Sequence, residues 1–169
     1  MRKIQSIRSY VLWSVLLAAI ITVLCIHGPR LLAYMSTKSG FHAAKEQSDY
    51  VIIPVTIGRT ALHVMIADTE EKRMKGLSYR ESLGNNQGML FVFEDSGHHG
   101  MWMKDMNFSI DIIWLDSNLK VVDIKKNATP ESYPEVFGPK KEASFVLEAP
   151  AGFADKNSIT PGSELVLYR

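Results

Sequence analysis

Two short apolar runs, residues 88–93 (GMLFVF) and 110–115 (IDIIWL), constrain this chain most, because a cluster of His, Met, Trp, Lys and Asp lies between them. Each run is too short for a buried helix and is rich in β-branched and aromatic residues, so both read as strands. The intervening residues then form a loop at the edge of a rigid sheet, the usual position of binding and catalytic groups.

The neighbouring segments extend this pattern. Residues 50–57 (YVIIPVTI) and 60–67 (TALHVMIA) flank Gly58-Arg59, which predicts a hairpin, with Pro54 placing its strand at an edge or bulge. Asp68 or Thr69 caps a short helix in TEEKRMKG, where acids precede bases in the sense of the helix dipole and Gly76 ends the run. Residues 110–115 and 119–124 (LKVVDI) form a second hairpin around Asp116-Ser117-Asn118. Residues 127–141 hold Pro130, Pro134, Gly138 and Pro139, a long loop before strands at 144–148 (SFVLE) and 164–168 (ELVLY). The expected fold is mainly β (α+β): a compact β sandwich or squat barrel of six to seven strands with one short helix, preceded by an N-terminal transmembrane helix.

The transmembrane expectation rests on residues 11–26 (VLWSVLLAAIITVLCI), which carry no charge and follow the basic stretch MRKIQSIRSY. Their length lies between a signal-peptide core and a membrane span, and no small-x-small cleavage site follows. The expected organisation is a cytoplasmic basic stub and membrane anchor or signal segment at 1–28, a linker at 29–48 and a domain at 49–169. The chain would then be a single-pass inner (cytoplasmic) membrane protein contacting the membrane through residues 10–26. Its N-terminus would lie inside and its domain would be extracytoplasmic. The alternative is a secreted or periplasmic protein after signal cleavage. Residues 41–169 carry 14 Lys and Arg against 18 Asp and Glu, a net −4, so nucleic acid is not expected as a partner. The lone cysteine, Cys25, lies in the apolar segment, which leaves the domain without a thiol for a disulfide, a nucleophile or a Cys-ligated zinc. No cofactor is required by the sequence.

The candidate ligand-binding residues are Arg80, Trp102, Met103, Lys104, Asp105, Asp111 and Glu148. Their charges stand beside apolar strands, where each needs a partner or water. Arg80 suits a bidentate clamp on an anion and Lys104 a point charge, although an internal network of Arg80 with Asp111 or Glu148 fits the same residues. Asp105 and Asp111 suit a two-carboxylate hydrolysis, or loop capping. His98, His99, Met101, Met103 and Met106 form a soft nitrogen and sulfur set of the kind that holds Cu(I), while the same Met alternation arises from core packing. Trp102 and Trp114, with Phe91, Phe93 and Phe108, read either as core or as the wall of a groove for a sugar or peptide.

The ordered pieces RMKGLSYR at 73–80, GMLFVF at 88–93, Trp102-Met103-Lys104, IDII at 110–113 with Asp116, and Val146-Leu147-Glu148 with Gly152 and Gly162 resemble the bacterial and archaeal domain of unknown function 192 family. The resemblance implies a compact β-rich fold and no established reaction. This chain departs from the family pattern at Asp105 and Met106, where Asn and Thr are usual, at Ser109, where Pro is usual, and at Ser78, where Met is usual. The expected function is a membrane-tethered extracytoplasmic domain binding a small or polymeric envelope ligand. The alternatives are a hydrolase acting on an envelope substrate through Asp105 or Asp111, and a soft-metal (copper) binding protein.

Overall fold

A computed structural model describes residues 50–168, which fall within one compact unit beginning at Tyr50. In chain order its elements are β1 (Ile52–Ile57), β2 (Thr60–Ala67), α1 (Glu70–Lys75), β3 (Gln87–Gly97), β4 (Met101–Trp102), β5 (Ile110–Leu115) and β6 (Val121–Ala128). A 3-10 turn at Pro130–Ser132 precedes β7 (Val136–Phe137), β8 (Ala143–Pro150), α2 (Phe153–Lys156) and β9 (Leu165–Leu167). Seven strands form one sheet in the order β6-β5-β8-β3-β2-β1-β9, and β4 and β7 form a separate two-stranded ribbon.

Local chemistry accounts for the hairpins. Gly58, at φ 60°, turns β1 onto β2, and Asp116 Oδ1 accepts from the backbone N–H groups of Asn118 (2.8 Å) and Lys120 (3.0 Å) in the turn between β5 and β6. The β2–β3 pair is parallel, so it needs a crossover, which α1 supplies. Thr69 caps that helix by accepting from Lys72 N–H, and Gly76 ends it at φ 51°. Pro54 lies at the end of the β1–β9 pairing, where its carbonyl oxygen accepts from Tyr168 N–H at 3.4 Å and only a terminal ladder position lacks a donor.

The sheet curls into a half-barrel. The turn after β5 and the segment entering β9 come from opposite ends of the strand order, yet Lys120 and Glu164 form a bridge. Val121 N–H donates to Ser163 O at 2.8 Å, and Leu165 N–H donates to Leu119 O at 2.9 Å. The expected sandwich or squat barrel with one short helix is therefore corrected to a seven-stranded curled half-barrel with two short helices. The pattern misled because both faces of this sheet are covered. Met89, Phe91, Ile110, Ile112 and Trp114 enter a first core, whereas Leu90, Ile113 and Leu115 enter a second on the opposite face. Strands buried on both faces read as continuous apolar runs, the same signal that sandwich strands give.

Among the described residues no helix is long and apolar enough to cross a membrane. The six residues of α1 and four of α2 extend about 9 and about 6 Å, against about 30 Å of bilayer core. The segment at 10–26, on which the transmembrane helix, the membrane partner and the inner-membrane or periplasmic address rested, lies outside the described residues. Those expectations have no structural support.

Close packing between β3 and β8 positions the site. A Cβ at Gly88 would stand 2.8 Å from the carbonyl oxygen of Glu148 and 3.2 Å from Leu147 Cδ1. Because the first of these neighbours is backbone, Gly88→Ala is expected to spread the two strands and destabilise the domain by about 1–3 kcal/mol. Urea unfolding measures this, and an unchanged midpoint would contradict the packing argument.

Candidate functional site

The loop between β4 and β5 is clamped onto the residues that follow α1. Ser78 Oγ donates to Lys104 O at 2.8 Å, Tyr79 N–H to Asp105 O at 2.8 Å, and Asn107 Nδ2 to Arg80 O at 2.9 Å. Tyr79 hydroxyl donates to Asp105 Oδ2 at 2.7 Å. This bond to the carboxylate, reinforced by its charge, holds the phenol above its ordinary pKa range. Tyr79 and Asp105 both adopt left-handed backbone conformations, at φ 63° and 55°, so the clamp holds two non-glycine residues in a sparsely populated region. Met103 and Met106 anchor the underside of the loop in the first core.

Trp102 is on the outer side of this loop. Its ring meets that of Tyr133 edge to face at 6.3 Å, and Lys104 Nζ sits 5.9 Å above it. Arg80 lies over the Tyr50 ring at 5.8 Å. Arg73 donates from Nη1 to Val92 O at 2.9 Å and lies 5.4 Å over Phe93, tying α1 to β3.

Asp111 and Glu148 are the two buried charged residues of the described part. Asp111 pairs with Ala149 across β5 and β8, whereas Glu148 pairs with Ile112 and Met89. Side chains alternate along a strand, so these carboxyls face opposite sides of the sheet. Both oxygens of Asp111 are hydrogen-bonded: Oδ1 accepts from Asn127 N–H (2.9 Å) and Gly152 N–H (3.2 Å), and Oδ2 from Ala154 N–H (2.8 Å). It staples β5 to the end of β6 and to the first turn of α2. Glu148 is only 4% exposed, and its Oε2 has no hydrogen-bond partner among the described residues. Burial pushes its carboxyl up to about 8, so at neutral pH it is mostly the protonated acid.

Residues 53–167, from β1 to β9, match the model of domain of unknown function 192 (DUF192), described as "Uncharacterized ACR". The chain belongs to this family.

Among DUF192-like relatives, the UPF0127 protein of Thermococcus kodakarensis is 36% identical over 91 residues, covering 53% of this chain and 54% of that protein. That of Thermococcus gammatolerans is 37% identical over 92 residues, covering 53% and 56%. The chain thus spans little more than half the length of these two relatives. The crystal structure of a "putative transcription regulator" from Sinorhizobium meliloti aligns with a TM-score of 0.67 at 29% identity, covering 70% of this chain and 95% of that one. A protein of unknown function from Novosphingobium aromaticivorans aligns with a TM-score of 0.65 at 30% identity, covering 68% and 84%.

The DUF192 fold divides the seven candidate ligand residues. Lys104 and Asp105 share the clamped loop, Trp102 precedes it at the end of β4, Met103 is beneath it, Arg80 lies at its base, and Asp111 and Glu148 are on opposite faces of the sheet. Of the two carboxylates expected as a hydrolytic couple, Asp111 accepts from three backbone N–H groups and Asp105 accepts from the Tyr79 hydroxyl.

The copper set is also corrected. His98 Nδ1 donates to Pro139 O at 2.9 Å, and His99 Nε2 donates to Asp95 O at 2.9 Å while its ring stacks on Phe93 at 3.6 Å. Met101, Met103 and Met106 are buried in the first core, and no group of three or more His, Cys, Asp and Glu among the described residues is placed to hold a metal ion. Core packing and carbonyl hydrogen bonds occupy the groups that the soft-metal reading required.

Sequence reasoning missed Tyr79 and Tyr133. Tyr79 lies within the family motif with no local signal of its bond to Asp105, and nothing local to Tyr133 signals that its ring reaches Trp102 from another loop.

Proposed function

We propose that this domain is a hydrolase whose general acid is Glu148. The observation that carries this reading is a buried carboxyl whose Oε2 has no partner among the described residues. Leaving such a group unsatisfied is costly, and residues held in that condition concentrate where chemistry needs them. A neutral carboxylic acid in apolar surroundings is suited to donating its proton to a leaving group or to hydrogen-bonding a carbonyl oxygen. The surroundings supply the condition: Glu148 is flanked across the sheet by Met89 and Ile112, both in the first core.

Glu148 thus supplies an acid, where the expected hydrolase relied on Asp105 or Asp111, and nothing in this chemistry calls for an envelope substrate or a membrane address. The name of the Sinorhizobium meliloti protein is not transferred as a nucleic-acid function, since residues 41–169 carry a net −4.

Nitrophenyl esters and nitrophenyl glycosides serve as probes for the purified full chain. Glu148→Gln is expected to lower kcat/KM by at least about a hundredfold, the range for loss of a general acid, while the variant stays folded at the assay pH. Turnover of no probe, or equal turnover by the folded variant, would refute the reading.

A further inference from the structure

The clamped loop carries a second feature that the acid chemistry does not use. Tyr79, Trp102 and Tyr133 come from three different segments and are 72%, 42% and 46% exposed. They are linked in a strip: Tyr79 hydroxyl bonds to Asp105, Lys104 immediately precedes Asp105 on the chain and lies over Trp102, and Trp102 meets Tyr133 edge to face. The strip therefore runs ring, carboxylate, ammonium, ring, ring. Core packing does not account for these exposed rings, because Met103 and Met106 already anchor the loop from below.

We propose that Tyr79, Asp105, Lys104, Trp102 and Tyr133 form a binding ridge for a neutral carbohydrate chain. A pyranose ring presents C–H groups on its faces and hydroxyls around its rim. The faces suit the electron-rich aromatic surfaces, while the hydroxyls take an acceptor from Asp105 and a donor from Lys104. One charge of each sign leaves the ridge without net charge, which disfavours a polyanion such as nucleic acid. A proline-rich peptide also docks on aromatic residues, but in that mode the rings hold an apolar extended helix and need no acceptor and donor between them. The clamp orders the backbone in advance: the bonds from Tyr79 N–H to Asp105 O and from Ser78 to Lys104 O hold the main chain that carries the two charges before any ligand arrives.

This inference concerns binding alone and stands apart from the role of Glu148. Titration calorimetry of the full chain with chitotetraose, cellotetraose and maltotetraose tests it, with a proline-rich decapeptide as the competing probe. At least one tetrasaccharide is expected to bind with a millimolar or tighter Kd, weakened by at least about tenfold in both Trp102→Ala and Tyr133→Ala. Trp102→Phe, which keeps a ring, should restore most of the affinity, and unchanged melting temperatures would show that the alanine variants fold. Binding of no tetrasaccharide, binding that survives both alanine variants, or Trp102-dependent binding of the peptide alone would overturn the proposal.

Discussion

Asp111→Ala is expected to lower stability by about 3–5 kcal/mol, because it leaves three backbone N–H groups in or beside the second core without their acceptor. For a domain of this size the melting temperature should fall by roughly 10–20 °C. Asp111→Asn separates the contributions. An amide oxygen in the place of Oδ1 keeps the bonds from Asn127 and Gly152, while the amide nitrogen faces the Ala154 N–H, donor against donor. The Asn variant should therefore melt between wild type and the Ala variant. If Asp111→Ala melts within a few degrees of wild type, Asp111 is not the staple described. The loss is structural in origin, so the Ala variant should also speed hydrogen exchange at Ala154 while leaving the Glu148 face of the sheet protected under native conditions.

This role shows where the sequence stopped being legible. The hairpin turns at Gly58 and Asp116 and the helix start at Thr69 are local events, determined by residues within four positions of one another, and they can be read directly. The placement of β8 between β5 and β3 depends on contacts between distant segments, and no local signal encodes it. That placement decides the chemistry. Asp111 and Glu148 both read as charged residues beside apolar strands, and a common site was a natural expectation. The registers Asp111 with Ala149 and Ile112 with Glu148 send them to opposite faces, and a shift of one residue would have reversed the outcome. The Met residues illustrate the same limit: alternation brings Met101 and Met103 to one face, but only the fold shows that this face is the first core. The strip of exposed rings depends on Tyr133, which reaches Trp102 from a loop some thirty residues further along the chain.

The buried acid makes the second large effect, in the pH dependence of stability. Glu148 has an ordinary value of 4.5 and is raised to about 8 by burial. Between those values the unfolded chain has lost the proton and the folded chain retains it, so raising the pH favours unfolding. The stabilising contribution is fully present below 4.5, declines through the interval and is gone above about 8. The slope is about 1.4 kcal/mol per pH unit, on the order of 5 kcal/mol across the whole range. Other groups titrate over the same range, so the informative quantity is the difference between wild type and Glu148→Gln, whose amide does not ionise. Urea unfolding of both proteins from about pH 5 to about pH 8 should show wild type losing stability relative to the variant as the pH rises. Parallel curves would mean that Glu148 ionises in the folded chain as easily as in the unfolded one, and the neutral acid required for proton donation would then be absent at neutral pH. A converging or diverging pair with the stated sign would instead tie the cost of burying this carboxyl to the proton that the proposed chemistry uses.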